Sequence, residues 1–505
     1  MDSPVNPATS PTNLLFITTD QQRWDSLPCY GLEFMRTPNL DRLAREGVVF
    51  ERAYTPAPLC VPMRAAMMSG MWPSTTGVMG NSHWLPESVP VWPALLTEFG
   101  DKAGGRKTAA IGKMHFHPWD ARYGFLERIT AEDKRHTYLP DDYSKYLLAH
   151  GLRQWHPTEK PGYFEHLQAS VTPAPKRFHV DGFVGDRAAE WLSANAADGP
   201  FAAWVSFPGP HDPYDPPEEM ASMYYDAPIP EPVGSPEELA TKPRAQQRRN
   251  QGSRQSVQYQ IDPSSATPEQ IRRWRAHYYA NISLIDEGIG KILAALEETG
   301  QLDNTLIVFT SDHGDALGDH GLAYKSFYYE CMAHVPLLVR GPGVARGGRC
   351  PSLVSTLDLV PLFYRACGVE APRFLQGANI APALSDPSAR VRDVVFSENL
   401  GSTMVFDGRW KLAQYADGDI ELYDLSTDPN ELTNLAHGDG ATRHAAEIAR
   451  LRGDLVDHAL RNNRVRAQLN ERPAEPWRAN LNHSFERSLA AEPAAPSASA
   501  PSQRP

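Results

Sequence analysis

Four separate stretches of this chain run straight into residues that can bind a metal ion, hold an anion or carry a proton. Asp20 and Gln21 follow the run 14–19, and Lys113 and His115 follow the run 107–111. His211 follows the run 201–207 and a Pro208-Gly209-Pro210 turn, and Asp312 and His313 follow the run 305–310. Asp20, Asp312 and His313 offer carboxylate oxygens and an imidazole, a set that suits hard to borderline divalent cations such as Ca2+ or Mn2+. A cation there would act as a Lewis acid and help to generate a nucleophile. Cys60 opens the run Cys60-Val61-Pro62-Met63-Arg64. Residues 62–69 can form a helix, which sets the thiol at a helix N-terminus, where N–H groups and the dipole favour anions. Arg64, one turn on, can hydrogen-bond an ionised nucleophile. Lys113 and Lys325 would clamp the equatorial oxygens of a tetrahedral substrate and stabilise its developing charge. Each residue also has a plain structural alternative: Asp20 as a helix cap, His115 as a packed core histidine, His211 as a loop residue, Cys60 as a buried inert thiol.

These residues act together only if the fold gathers them. Residues 14–19 form a short, apolar, β-branched run, the pattern of a buried parallel strand. Residues 107–111, 201–207, 305–310 and 335–339 read as further strands. Helices alternate with them. The clearest begins at Thr267-Pro268-Glu269-Gln270, a capping box with proline at the first helical position. Its apolar stripe runs through Tyr278, Ile282, Ile285, Ile289, Ile292 and Leu296, and Gly300 stops it. The alternation predicts an α/β fold: a large, mainly parallel sheet with helices on both faces. Ligands of open α/β sheets bind outside the carboxyl ends of the strands. Four strands therefore deliver their polar residues to one edge.

Near residue 385 the pattern changes. Short strands at 394–397, 404–406, 410–412 and 421–423 predict a small antiparallel sheet, with a helix over 445–460 packed on it. The expected organisation is a catalytic α/β domain over 13–384, an α+β subdomain over 385–470 and a flexible Ala/Pro/Ser-rich tail over 471–505, with Trp477 or Phe485 as an anchor. The polar stretch 228–265, with Arg244, Arg248, Arg249 and Arg254, reads as a solvated surface insertion rather than a binding arm. The 505 residues are 41% hydrophobic and 22% charged, ordinary for a globular chain. A net charge of −12 argues against a nucleic-acid partner. No run is apolar enough for a membrane span, and the start is polar, with no signal-peptide pattern. Five scattered cysteines do not read as a disulfide framework. A reduced, cytoplasmic protein is the expectation. If subunits associate, the tail and the 228–265 stretch are where contacts are expected.

With these residues in place, the chain closely resembles the sulfatase family of the alkaline phosphatase superfamily. The resemblance spans about 13–440. It is carried by 13–21 (NLLFITTDQ), 37–43 (TPNLDRL), Cys60 to Arg64 with Ser69-Gly70, Gly112-Lys113-Met114-His115, 310–315 (TSDHGD) and 318–321 before Lys325. It continues with 422–425 (LYDL), 428–431 (DPNE) and 434–436 (NLA). A cysteine two before a proline and four before an arginine is the family's signal for oxidation of the thiol to formylglycine, by a separate maturation enzyme. The resemblance implies that hydrated formylglycine at residue 60 is the nucleophile, and that Asp20, Asp312, His313 and residue 60 bind one divalent cation, with Gln21 alongside. It implies that Arg64 supports the hydrate and that Lys113, His211 and Lys325 hold the sulfate. His211 or Lys325 protonates the leaving oxygen. His115 takes the proton whose removal expels sulfate from the covalent sulfo-enzyme intermediate. Val61 and Met63 stand where many sulfatases have a small residue and a serine, which bears on how efficiently the thiol is converted. Gln21 and His313 resemble the cytoplasmic bacterial branch of choline sulfatases, some arylsulfatases and phosphonate monoester hydrolases, and they make Mn2+ as suitable as Ca2+. The expected activity is hydrolysis of small anionic sulfate esters. The alternatives are a phosphonate monoester or phosphodiester hydrolase with the same nucleophile, and a non-catalytic relative.

Overall fold

The computed structural model describes residues 13–100, 106–234, 236–251 and 260–469. The tail, with Trp477 and Phe485, and Arg254 lie outside the described residues. Nine strands form the main sheet: β1 (Asn13–Asp20), β2 (Val48–Tyr54), β3 (Lys107–Gly112), β4 (Glu127–Thr130), β5 (Phe201–Pro210), β6 (Thr305–Ser311), β7 (His334–Val335), β8 (Leu337–Arg340) and β9 (Gly348–Ser355). The order is β4-β3-β5-β1-β6-β8-β2-β7, with β9 paired to β2. The run from β4 to β6 is parallel throughout. β8 is antiparallel to both β6 and β2. The sheet is thus mainly parallel, as its apolar runs require. Residues 335–339 are split at Pro336, which cannot donate to a ladder. β2 and β9 are strands that the sequence does not announce, because Glu51-Arg52 and Arg349 interrupt their apolar runs.

Period-two alternation sorts β1 between two cores. Leu15 and Ile17 face the helices Pro38–Glu46, Val180–Asn195 and Pro268–Glu298. Leu14 and Phe16 face the helices Cys60–Ser69, Trp92–Gly100 and Leu359–Ala366. The long helix Pro268–Glu298 has the capping box on Thr267 and Gln270. It crosses Val180–Asn195 where Gly185 meets Gly288; a Cβ on Gly185 would lie 2.6 Å from Gly288 Cα.

A second sheet of β10 (Val395–Asn399), β11 (Ser402–Phe406), β12 (Trp410–Tyr415) and β13 (Ile420–Asp424) is an antiparallel meander. The helix Ala445–Leu469 packs on it through Ile448 and Leu451. One face of this sheet shares a core with Ala66 of the Cys60 helix. The other shares a core with Tyr328, three residues past Lys325. The stretch 228–251 departs from the expectation of a solvated insertion. Arg244 and Arg248 are exposed, but Lys242 and Gln246 are buried. Lys242 donates to Tyr423 Oη at 3.0 Å and to the Glu431 carbonyl at 2.7 Å, and Gln246 Oε1 accepts from Tyr329 at 2.6 Å. The segment is wedged between the Lys325 loop and the second sheet. All five cysteines are free thiols. Among the described residues, no helix is long and apolar enough to cross a membrane.

Candidate active site

The strand ends meet as the topology predicts. Asp20 ends β1, and Asp312 and His313 follow β6, its parallel neighbour. Cys60 begins a helix whose ten residues are all buried. Leu59 precedes it and provides no side-chain cap; instead Asn81 Oδ1 accepts from the Val61 N–H at 3.1 Å. The donor atoms of Asp20, Cys60, Asp312 and His313 all lie within 4.8 Å of one another, and all four residues are buried. Cys60 Sγ is 3.2 Å from His313 Nε2. His313 Nδ1 faces the Gly314 carbonyl at 2.9 Å and must donate to it, which leaves Nε2 with a lone pair turned to the cluster. Two carboxylates, a sulfur and a free imidazole lone pair fit a divalent cation in donor chemistry and in spacing.

Cations surround this cluster. Arg64 spans both carboxylates, with Nη2 3.1 Å from Asp20 Oδ2 and 3.2 Å from Asp312 Oδ2. Its Nη1 donates to the Lys113 carbonyl and to Ser206 Oγ. Gly112 makes the turn that delivers Lys113: its φ is +95°, and a Cβ there would lie 2.0 Å from the Ser206 carbonyl oxygen. Lys113 Nζ bridges Asp20 and Asp133, 2.8 Å from each. Lys325 donates to His211 Nε2 at 2.9 Å and to Gln21 Oε1. Burial alone would raise the Asp20 carboxyl, but the Lys113 ammonium and the Arg64 guanidinium hold it well below the usual carboxylate range. Burial and the Asp20 carboxylate push the Cys60 thiol up to about 11. With these protein groups alone, residue 60 is a neutral thiol at neutral pH and a poor nucleophile.

The two histidines are both held neutral. Burial, then Lys325, lowers His211 well below its ordinary value. His211 Nδ1 donates to the Asp212 carbonyl at 2.9 Å, so its Nε2 accepts from Lys325. Burial, then Lys113, lowers His115 likewise. The His115 residue is half-buried, but its Nδ1 is buried and has no partner. Its backbone N–H donates to Glu132 Oε2 at 3.0 Å, its φ is +58°, and the residue lines a recess with Val61 and Arg64.

The fold brings the predicted residues together here. Gln21 lies beside the four-donor cluster, its backbone N–H donating to Asp312 Oδ1 at 2.9 Å. Its Oε1 accepts from Lys325, while its Nε2 donates to Asp315 at 2.6 Å. Sequence reasoning missed Glu132, Asp133 and Arg135, which follow the short edge strand β4, and Asp315 and Tyr214, which hold Gln21. Asp315 stood inside a quoted motif, whereas Asp133 had no apolar run before it to mark its place.

A sheet edge that brings cations and a metal-ligand cluster around one buried residue defines a hydrolase of esters with a charged tetrahedral centre. Within that class, the chain belongs to the sulfatase family and is a sulfuric ester hydrolase: the sulfatase profile matches residues 12–369. A second profile, N-sulphoglucosamine sulphohydrolase, C-terminal, matches residues 318–457. A choline-sulfatase of Rhizobium meliloti is 33% identical over 452 residues, 85% of this chain and 83% of that protein. An arylsulfatase of Clostridium perfringens is 30% identical over 464 residues, 85% of this chain and 90% of that protein. The solved phosphonate monoester hydrolase of Agrobacterium radiobacter superposes with a TM-score of 0.74 at 26% identity, over 88% of this chain and 96% of its own.

Proposed function

We propose that the protein hydrolyses sulfate monoesters with a formylglycine made from Cys60, beside one divalent cation held by Asp20, Asp312, His313 and residue 60. The observation that carries this reading is the placement of a neutral, buried thiol at a helix start inside a four-donor cluster. A thiol there is inert, whereas the aldehyde, once hydrated, supplies a hydroxyl nucleophile and a second hydroxyl through which sulfate can be expelled. Bound cation supplies Lewis-acid stabilisation of that hydroxyl and of a substrate oxygen. The donor set suits Ca2+ or Mn2+. Gln21 Oε1 accepts from Lys325 and keeps a second lone pair that could serve the cation.

The remaining roles belong to the chain's own side chains. Arg64 and Lys113 place fixed positive charge where the equatorial oxygens gather charge. Lys325, as the donor in its bond to His211, gives the proton to the leaving oxygen, and His211 orients it. His115, neutral and with Nδ1 unpaired, accepts the proton of the second hydroxyl. A catalytic unit over 13–384 and a subdomain over 385–470 accord with the two sheets, and five free thiols accord with a reducing cytoplasm.

The test is the mass of the Ala53–Arg64 tryptic peptide. In active protein it should weigh about 18 Da less than the thiol form. Full turnover by protein carrying only the thiol would overturn the mechanism, and Cys60→Ala should abolish activity. A second reading, phosphonate monoester hydrolysis, is favoured by the Agrobacterium likeness. The kcat/KM ratio for an aryl sulfate and the matching aryl phosphonate monoester decides between them.

A further inference from the structure

Lys134, the residue between Asp133 and Arg135, does not join them beside Lys113. It lines a small cavity with Lys160, His179 and Asp215, and no residue assigned to the ester chemistry lines that cavity. Asp215 is the one acidic lining residue and holds both lysines. Lys134 Nζ donates to Asp215 Oδ1 at 3.0 Å, and Lys160 Nζ donates to Asp215 Oδ2. Lys134 also donates to the Pro213 carbonyl at 2.6 Å. The two lysine side chains are 5% and 7% exposed, so two buried cations share one carboxylate. Burial lowers the Lys160 ammonium below its usual range, and Asp215 offsets only part of that shift. Asp215 is the one hydrogen-bond partner of this ammonium among the described residues. His179 adds a third donor and is 2% exposed. Its Nδ1 accepts from the Asp181 N–H at 3.2 Å and caps the helix Val180–Asn195, which places the ring proton on Nε2. That Nε2 is buried with no hydrogen-bond partner. Asp215 Oδ1 is 3.9 Å from it, beyond hydrogen-bond reach.

We propose that this cavity is a binding site for the carboxylate head group of a small organic acid. Lys134, Lys160 and His179 Nε2 can donate and cannot accept, and they face one centre, at Asp215. The occupant must therefore be an acceptor, and two ammonium groups against one carboxylate favour a charged one. The other nearby carboxylate, Asp181, lies on the Nδ1 side of the His179 ring at 3.5 Å and does not line the cavity. Arg153 lines it but is already paired with Glu159 at 2.8 Å. The space is about 30 Å³, room for two water molecules or for the two oxygens of one carboxylate. Leu147, Pro173 and Val180 form an apolar wall that suits the carbon side of such a ligand. Sulfate and phosphate have no apolar side to present to that wall, which separates the site from the clamp around Cys60. The assignment is independent of the reaction at residue 60.

The experiment measures calorimetric Kd values for acetate and acetamide, which differ in charge and little in shape. The proteins are wild type, His179→Asn, Lys160→Met and Lys325→Met. His179→Asn keeps a side-chain acceptor for the helix start and withdraws the Nε2 donor from the cavity. Wild type should bind acetate at least tenfold more tightly than acetamide. His179→Asn and Lys160→Met should each weaken acetate about tenfold, equivalent to about 1.4 kcal/mol, the scale of one hydrogen bond to a charged group. Lys325→Met breaks the anion clamp of the active site and should leave the acetate Kd unchanged. A wild-type preference for acetate below threefold overturns the proposal, as does an acetate Kd in His179→Asn within threefold of wild type. Loss of acetate binding in Lys325→Met would place the anion in the active site and overturns it equally. Tm is read alongside, and if Lys160→Met fails to fold, His179→Asn decides alone.

Discussion

Asp133→Asn is the perturbation that best separates the site's geometry from its composition. The substitution keeps the shape and one acceptor oxygen but removes a buried charge. Asp133 Oδ2 lies 2.8 Å from Lys113 Nζ and 2.8 Å from Arg135 Nη2. Lys113 is fully buried, so in the variant its only remaining carboxylate is Asp20, also at 2.8 Å. Breaking a buried pair costs about 3–5 kcal/mol. The lower figure applies, because Arg135 keeps Asp212 at 3.5 Å and is 15% exposed. The predicted stability loss is therefore about 3 kcal/mol. Lys113 would also be drawn wholly onto Asp20, away from the substrate oxygens and against the metal-ligand cluster. The expected fall in kcat/KM is about 100-fold, equivalent to about 2.7 kcal/mol at the transition state. Steady-state kinetics and denaturant unfolding read the two effects. Arg135→Gln added to Asp133→Asn should restore neither stability nor rate, because it also strips buried Asp212 of its guanidinium partner and leaves Lys113 misplaced. Burial raises and Arg135 and Lys113 lower the Asp133 carboxyl, with a net value well below 3.8. A depressed carboxyl stabilises the fold above its unfolded value and loses that contribution only as pH falls through the folded one. The stability gap between wild type and variant should thus be flat from pH 8 to about pH 4 and close below it. Kinetics within threefold of wild type, with unchanged unfolding, would refute the positioning of Lys113 by Asp133.

Other outcomes follow from the same contacts. Asp312→Ala should lose bound divalent metal and turnover together, read by elemental analysis and kinetics; retention of both would remove Asp312 from the ligand set. Lys411→Met should destabilise by about 3–5 kcal/mol, because Lys411 is buried between Glu330 at 2.5 Å and Glu431 at 2.7 Å. It also donates to the Tyr328 carbonyl at 3.0 Å, so kcat should fall as the Lys325 loop loosens, and an unchanged Tm would count against the clamp. His277→Phe tests pH dependence. Burial, then Arg273, lowers His277 to about 4, so it is held neutral. A lowered histidine adds stability above its unfolded value near 6.5 and loses it as pH falls toward 4, about 3 kcal/mol in all. Wild-type Tm should therefore drop across that window more steeply than that of the variant, and parallel curves would refute it.

The parallel strands were legible because they are buried on both faces, so apolar runs such as 14–19 and 305–310 have few other readings. The capping box at Thr267 and the stripe from Tyr278 to Leu296 were legible because both are local. The strands at the far end of the sheet were not. β2 and β9 carry charges within their runs, and β2 pairs with β7, β8 and β9, all of which come about 280 residues or more later in the chain. The stretch 228–251 misled for a related reason. Its polarity is that of a surface, but Lys242 and Gln246 find buried partners in Tyr423, Glu431 and Tyr329, more than 80 residues away in the chain.

The sequence by itself determined which residues are present and at which edge they gather. Asp20, Cys60, Arg64, Lys113, His115, His211, Asp312, His313 and Lys325 follow from strand ends, one helix start and the family's motifs. Only the tertiary structure decided how they are paired. That Lys113 leans on Asp133, that Gln21 turns to Lys325 and Asp315, that His313 offers Nε2 and that Trp84 stacks on His117 all depend on directions in space. Periodicity fixes the face on which a side chain emerges. Packing between distant segments, at separations of a few ångströms, fixes what that side chain meets.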